Sequence, residues 1–361
     1  MGPLHGLKII EIDGLGPVTF AGMVLADMGA DVLRLSRGAN APAAAIDEVG
    51  SEVLHRGRPA VPVDLKSPAE RDRVLDLIAS ADGLIEGFRP GVMERLGLGP
   101  DACHARNPRL VYGRVTGWGQ HGPLADQVGH DINYLAIAGG LHPIGCVDRP
   151  PPPPLNMVAD YGGGAMMLVS GMLAALLSAS RTGKGQVIDA AMTDGVALYT
   201  SLFHALKSRG LWQDQRQANL LDGGAPFYRC YTCKDGGFVA VGALEPRFYA
   251  ALISGLGLTP EEAPQYDISN WPALEARFSA LFASRTRDDW AEHFAATEAC
   301  VTPVLSLSEA PHHPHNEARQ TFFTQGCLQP SAAPRFSQGT TQPSPPGREL
   351  DLDSALKSWV G

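Results

Sequence analysis

The chain has 361 residues, 44% of them hydrophobic and 19% charged, enough for more core than one average domain needs. Its net charge of −9 lacks the Lys/Arg excess that a phosphate backbone demands, which excludes nucleic acid as a partner and leaves any anionic ligand to a few local cations. Six cysteines (Cys103, Cys146, Cys230, Cys233, Cys300, Cys327) without framework spacing, an N-terminus unlike a signal peptide, Gly6 where myristoylation wants Ser or Thr, and no peroxisomal signal at Trp359-Val360-Gly361 point to a reducing, cytoplasmic setting.

In chain order, Leu7 to Ile12 reads as an apolar strand, Asp13-Gly14-Leu15-Gly16-Pro17 as a turn, Val18 to Met28 as a helix and Asp31 to Leu35 as a second strand, which together make a βαβ unit. A long, alanine-rich loop follows from Gly38 to Leu54. A helix near Pro68–Ser80 and strands at Gly83–Gly87, Leu110–Thr116 and Val187–Ala191 repeat the pattern, so the first half is α/β with a mostly parallel sheet. The glycines after the first strand do not spell Gly-x-Gly-x-x-Gly, which leaves a nicotinamide cofactor without support. The prolines Pro150 to Pro154 form a stiff segment that fixes the chain's path. Gly162 to Leu177 is apolar except for Ser170 and shorter than the roughly 20 residues needed to cross a bilayer, so it reads as a buried helix and no membrane span is expected.

From Ala191 to Asp222 the chain turns helical and then irregular, with Trp212-Gln213-Asp214-Gln215-Arg216 as an exposed connector. Phe227–Thr232 and Phe238–Val241 flank the turn Lys234-Asp235-Gly236-Gly237 as a hairpin, and helices follow at Pro246–Leu256 and Trp271–Ser284. After Leu328, Pro, Ser and Gln make a connector to a short tail helix. The expected domains are a large one over 1–190 and 335–361, a linker over 191–225, a small α+β domain over 226–318 and a return linker over 319–334.

Two blocks carry candidate chemistry: Gly129-His130-Asp131-Ile132-Asn133-Tyr134, and Leu155-Asn156-Met157-Val158-Ala159-Asp160 running into Gly162-Gly163-Gly164. They offer an imidazole and a carboxylate, each beside small residues, as two proton carriers. On the residues alone, Asp160 is either catalytic or the N-cap of a glycine-opened helix, and His130 alone reads more readily as a buried, hydrogen-bonded histidine. Glu245, ending a strand before Pro246, reads as a helix-start acid.

These blocks, together with Leu25-Ala26-Asp27-Met28-Gly29-Ala30-Asp31-Val32, Arg89-Pro90-Gly91-Val92, Gly117-Trp118-Gly119-Gln120, Gly183-Lys184-Gly185-Gln186-Val187-Ile188-Asp189 and Ala240-Val241-Gly242-Ala243-Leu244-Glu245-Pro246, resemble the α-methylacyl-CoA racemases of the class III CoA-transferase superfamily. The resemblance spans residues 4 to about 325. It implies a large Rossmann-like domain completed by the C-terminal tail, a smaller α+β domain, and an interlocked homodimer with active sites between subunits. It also implies an acyl-CoA substrate and no cofactor beyond the coenzyme A that the substrate itself carries.

Inverting the carbon beside a thioester needs a base on one face and an acid on the other, with donors aimed at the enolate oxygen. The resemblance assigns the two proton-carrier roles to His130 and Asp160, and to Glu245 the orientation of the His130 imidazole. Arg37 and Val63-Asp64-Leu65-Lys66 match positions that contact the nucleotide of CoA, Arg56, Arg89 and Arg95 are further candidates, and Gly129, Asp131, Ile132, Asn133 and Tyr134 should touch the thioester end. Ser36 and Gly38 stand where the family usually has an acidic residue and a proline.

Other constellations carry less. Cys230-x-x-Cys233 lies in a predicted strand without a second pair, His312, His313 and His315 read as a loop, and no metal is expected. Ser170 and Ser201 lack a nucleophile elbow. Met157, Met166 and Met167 suit an acyl chain or the core. The rival activity is a CoA-transferase in which Asp160 attacks the thioester and carries the acyl group; it needs no second proton carrier, so His130 and Glu245 argue against it. A non-catalytic acyl-CoA-binding protein would not need all three positions filled.

Overall fold

A computed structural model describes residues 2–37, 45–338 and 343–360. The chain divides into a first unit of residues 1–139, 153–199 and 315–361 and a second of 140–152 and 200–314. Residues 140–152, expected in the large domain, and 200–225, expected as linker, thus fall in the second unit.

The first unit begins with β1 (Lys8–Ile12), α1 (Pro17–Asp27), β2 (Asp31–Ser36), α2 (Ala45–Leu54), β3 (Ala60–Pro62), α3 (Pro68–Ala79) and β4 (Gly83–Glu86). It continues with α4 (Val92–Arg95), α5 (Pro100–Arg106), β5 (Val111–Thr116), α6 (Asp131–Ile137), a helix over Met157–Met166 that leads into α7 (Met167–Thr182), β6 (Gln186–Ala191) and α8 (Met192–Tyr199). All six strands are parallel, in the order β3-β2-β1-β4-β5-β6. That order follows from right-handed crossovers that run first one way and then the other from β1. The expected loop from Gly38 to Leu54 is partly helical, since α2 occupies its second half, while residues 38–44 lie outside the described residues.

Helices cover both sheet faces, so both side-chain rows of the central strands are apolar, as parallel sheets require. Ile10, Ile12, Leu33, Leu35, Leu84 and Tyr112 are buried with Leu77 and Ile78 of α3. Each fully buried aliphatic side chain contributes about 1.5–3 kcal/mol. On the other face, Glu11 and Arg58 form a completely buried ion pair. Gly22 of α1 faces that pair, where a Cβ would lie 1.9 Å from Glu11 Oε2.

The helix over Met157–Met166 is wound as a π-helix and continues into α7 without a break, so the apolar segment starts before the expected Gly162. At 26 residues, with a mean hydropathy of 1.6 over its most apolar 18, it is long and apolar enough to cross a membrane by length and composition, unlike the shorter run seen in the sequence. Leu168, Val169, Met172, Ala175 and Ala179 are buried, and α7 packs on β5 and β6, which makes it a core helix.

The tail returns to the first unit. The chain from α13 (Pro314–Ala318) leads to an antiparallel hairpin, β10 (Phe322–Gln325) with β11 (Cys327–Pro330), where a connector was expected. Residues 346 and 349 bridge to Arg56 and Ala60 beside β3, and α14 (Leu352–Val360) packs on α3.

The second unit contains α9 (Ser201–Ser208), β7 (Tyr228–Thr232), β8 (Phe238–Gly242), α10 (Pro246–Gly255), α11 (Trp271–Phe282), α12 (Arg287–Phe294) and β9 (Val301–Pro303). The three strands form an antiparallel sheet, β7-β8-β9, and the expected hairpin is its first pair. Tyr231, Val239 and Val241 are buried with Phe227, Leu252, Phe278 and Trp290, an aromatic core under one sheet face. Arg216, expected on an exposed connector, donates to the carbonyls of Cys146, His142 and Arg149 and ties down the 142–149 segment.

Candidate active site

His130 is the N-cap of α6, with extended backbone. Its N–H donates to Asn133 Oδ1 at 3.1 Å, and Asn133 N–H donates back to the His130 carbonyl at 2.7 Å, so the turn that presents the imidazole is closed from both sides. The Tyr134 hydroxyl donates to the Gly129 carbonyl, and its ring stands edge-on to Trp118 at 4.8 Å. Gly117 makes room for that ring, since a Cβ there would lie 2.0 Å from Tyr134 Cε1. The histidine is exposed, not the buried, hydrogen-bonded residue that it would be by default.

Asp131, the next residue, is buried. Its Oδ2 accepts the N–H groups of Ala159 and Asp160, each at 2.8 Å. One carboxylate thus brings together the two blocks that the sequence singled out. Asp131 was expected to touch the thioester end; the structure instead turns its side chain onto the backbone at Asp160.

Asp160 lies in the first turn of the π-helix, whose N-cap is Asn156, so it is not the helix cap that the glycine-opened pattern suggested. Its carboxylate faces the start of α1, where a Cβ on Gly16 would stand 3.5 Å from Oδ2. Tyr161 stacks on Phe20 of α1 at 4.3 Å and anchors the turn. Burial first, and then the like charge of Asp131, push the Asp160 carboxyl up to about 6, against a hydrogen bond from Asn156 and the His130 charge. The Tyr134 hydroxyl is pushed up to about 12, mainly by burial and then by the Asp160 charge, with Arg89 opposing.

Glu245 belongs to the second unit. It occupies the N-cap position before Pro246 and α10, exposed and with extended backbone, yet its side chain makes no cap hydrogen bond. The carboxylate is therefore not used as the helix-start acid that its position alone would suggest. Its charge helps to raise the Cys300 thiol, after burial.

A cavity of about 970 Å³ in the first unit is lined by Arg37, Val63, Asp64, Leu65 and Lys66, the set expected for nucleotide contact, with Ile12, Asp13, Phe88, Val92 and Leu96 among the others. The Arg37 guanidinium sits over the Phe88 ring at 5.7 Å. Asp64 N–H donates to Glu70 Oε2 and Lys66 N–H to Asp64 Oδ1, so this strand end is a pinned turn. Sequence reasoning missed Phe88; it lies directly before the Arg89-Pro90-Gly91 signal that was noticed. Arg56 is elsewhere, buried with both ends on Asp27 and further bonds to Gln329 Oε1 and the Pro330 carbonyl. Its donors are consumed by packing, which removes it from the CoA-contacting candidates. Arg89 and Arg95 are exposed and do not line this cavity.

The cysteines are free, with Cys230 exposed and Cys233 buried, as opposite strand faces dictate. Among the described residues no group of three or more His, Cys, Asp or Glu side chains is placed to hold a metal ion.

The model of CoA-transferase family III matches residues 4–348. The chain belongs to this family. It is 45% identical over 344 residues to the α-methylacyl-CoA racemase of Mus musculus, covering 94% of this chain and 88% of that protein. To the α-methylacyl-CoA racemase of Homo sapiens it is 45% identical over 322 residues, covering 89% of this chain and 82% of that protein. The crystal structure of a CAIB/BAIF family protein from Brucella suis superposes with a TM-score of 0.80 at 24% identity, over 99% of this chain and 98% of that one. The chain thus shares its fold with that solved structure, and 45% of its aligned residues with each of the two racemases.

Proposed function

We propose that the protein is a racemase that interconverts (2R)- and (2S)-2-methylacyl-CoA thioesters. The observation that carries this reading is the juxtaposition of the His130 and Asp160 turns through Asp131, with Asp160 held near pH 6, where it can both accept and release a proton. One of the two removes the C2 proton from one face, the C–H pair passes into an enolate, and the other delivers a proton to the opposite face; reversing the direction exchanges the roles. Donors aimed at the enolate oxygen are needed as well, and backbone N–H groups of the glycine-rich helix start beside Asp160 are the ones the sequence offered. The role that the resemblance gives Glu245 is to orient the His130 imidazole. Arg37 and the 63–66 turn hold the nucleotide of CoA, with Phe88 as a wall, while Arg89, whose charge already reaches Tyr134, serves nearer the reacting end. No cofactor is needed, because the thioester supplies the acidity and CoA arrives with the substrate.

The same reading includes an interlocked homodimer, with sites completed between subunits, and a cytoplasmic location suited to six free cysteines. The test is to incubate one epimer of a 2-methylacyl-CoA with the enzyme in D₂O, without a carboxylate acceptor, and follow deuterium at C2 together with epimer composition. Exchange with inversion is expected, and His130→Ala should lower it by about 10²-fold or more. No exchange, together with a hydroxylamine-trapped acyl-aspartyl adduct once an acceptor acid is added, would replace this reading by a CoA-transferase that uses Asp160 as nucleophile.

A further inference from the structure

We propose that Asp131 is a positioning residue for the reaction: its carboxylate clamps the Asp160 turn to the His130 turn. The inference rests on the racemase reading for its catalytic meaning, though the clamp itself stands on geometry alone. A helix start leaves its first N–H groups without partners in its own helix, and a π-helix leaves one more than an α-helix does. Here the cap comes from a different helix. Oδ2 of Asp131, the first residue of α6, accepts the N–H groups of Ala159 and Asp160, the third and fourth residues of the π-helix, both at 2.8 Å.

Because Asp131 follows His130 directly, one side chain sets the spacing between the two proton carriers without touching substrate. A carboxylate is suited to this: it accepts two N–H bonds on one oxygen, and as an anion it binds the positive end of the helix. Its Oδ1 is buried without a partner among the described residues, so the charge of Asp131 is only partly compensated. The remainder is felt at Asp160, the residue whose N–H it binds.

The groups that face Asp160 are few. From α6 come His130 and Asp131, with Tyr134 one turn on and Arg89 acting on that tyrosine. Asn156 donates from the same helix start, Tyr161 is occupied by Phe20 of α1, and Tyr199 of α8 donates to the Gly162 carbonyl at 2.6 Å. Asp131 is the one other carboxylate in this set, and its charge raises Asp160 after the effect of burial.

The test is Asp131→Asn, which keeps the shape and one acceptor but removes the charge. In the direction where Asp160 is the base, the acid limb of the kcat/KM profile should move to lower pH by about 1 unit, and exchange should slow. A merely structural residue would lower the rate and leave the limb in place. That outcome, in a variant with unchanged circular dichroism, would overturn the proposal. Independently of activity, the ¹³C carboxyl resonance of Asp160, identified by its loss in Asp160→Asn, should titrate at lower pH in Asp131→Asn than in the wild type. If wild-type enzyme fails to exchange the C2 proton while this resonance still shifts, the racemase reading falls and the clamp stands. Should Asp131→Asn not fold, the wild-type amide protons of Ala159 and Asp160 remain informative. Held by the Asp131 carboxylate, they should exchange slowly with D₂O, and amides that exchange as fast as those of an open turn would refute the clamp.

Discussion

Asp160 keeps its proton to about pH 6 in the folded chain, whereas an unperturbed aspartate loses it near 3.8. Between those values the native state binds more protons than the unfolded one, so folding takes up a proton. Stability contributed at this site is therefore full below about pH 4, falls as the pH rises through about 6, and stays at the lower level above. Chemistry wants a carboxyl that changes state near neutrality; folding would be better served by a group that cannot ionise. Asp160→Asn should consequently abolish exchange and yet melt higher than the wild type at about pH 8, with the two converging near pH 4. Thermal scans at both pH values check this, with roughly 2–4 °C expected for each kcal/mol relieved. A gain of equal size at both would mean that the asparagine merely packs better.

The π-helix that carries Asp160 is held by close backbone approach. At Gly195 of α8, a Cβ would lie 2.0 Å from the Gly163 carbonyl oxygen and 2.6 Å from the Gly163 carbon atoms, and backbone cannot swing aside as a side chain can. Gly195→Ala should push α8 off this helix, lowering stability by about 1–3 kcal/mol and reducing exchange, because Gly163 is only three residues beyond Asp160. Urea unfolding should show a lower midpoint with an unchanged slope; a variant as stable as the parent would show that the two helices are not in this contact. Much of the surrounding architecture was legible in the sequence. The runs Leu7–Ile12 and Asp31–Leu35, with Gly and Pro punctuation between them, admit few readings other than strands around a helix. The winding of Met157–Met166 was not, since apolar content cannot distinguish i→i+5 from i→i+4 hydrogen bonding, and no side-chain cap at Asn156 announces the start. Asp131 was noticed as a member of its block, but its target lies 28 and 29 residues away, beyond any local pattern. Arg56 misled for the same reason: nothing near it in sequence reveals that Asp27 and Gln329 will bury its charge.

In the first unit, α6, the π-helix and α8 pack on one another and still leave apolar side chains in solvent, among them Ile137, 67% exposed, and Leu198, 59% exposed. Met157 and Tyr199 on the same elements are also exposed, and the edge strand β6 shows Val187. All-parallel sheets usually have their faces and edges covered, and apolar side chains gathered beside reacting groups favour a covering surface of similar character. The interlocked dimer proposed above would supply it from a second copy, without which the sites would be incomplete. Light scattering should accordingly give a mass about twice the 38.3 kDa of one chain. Because association of this kind stabilises by mass action, the melting temperature should rise with protein concentration. Leu198→Glu places a charge where an apolar contact is expected and should lower the measured mass toward one chain, with exchange per chain falling in parallel. A fully active monomeric variant would detach assembly from catalysis. A wild-type chain of single mass at every concentration would remove the dimer.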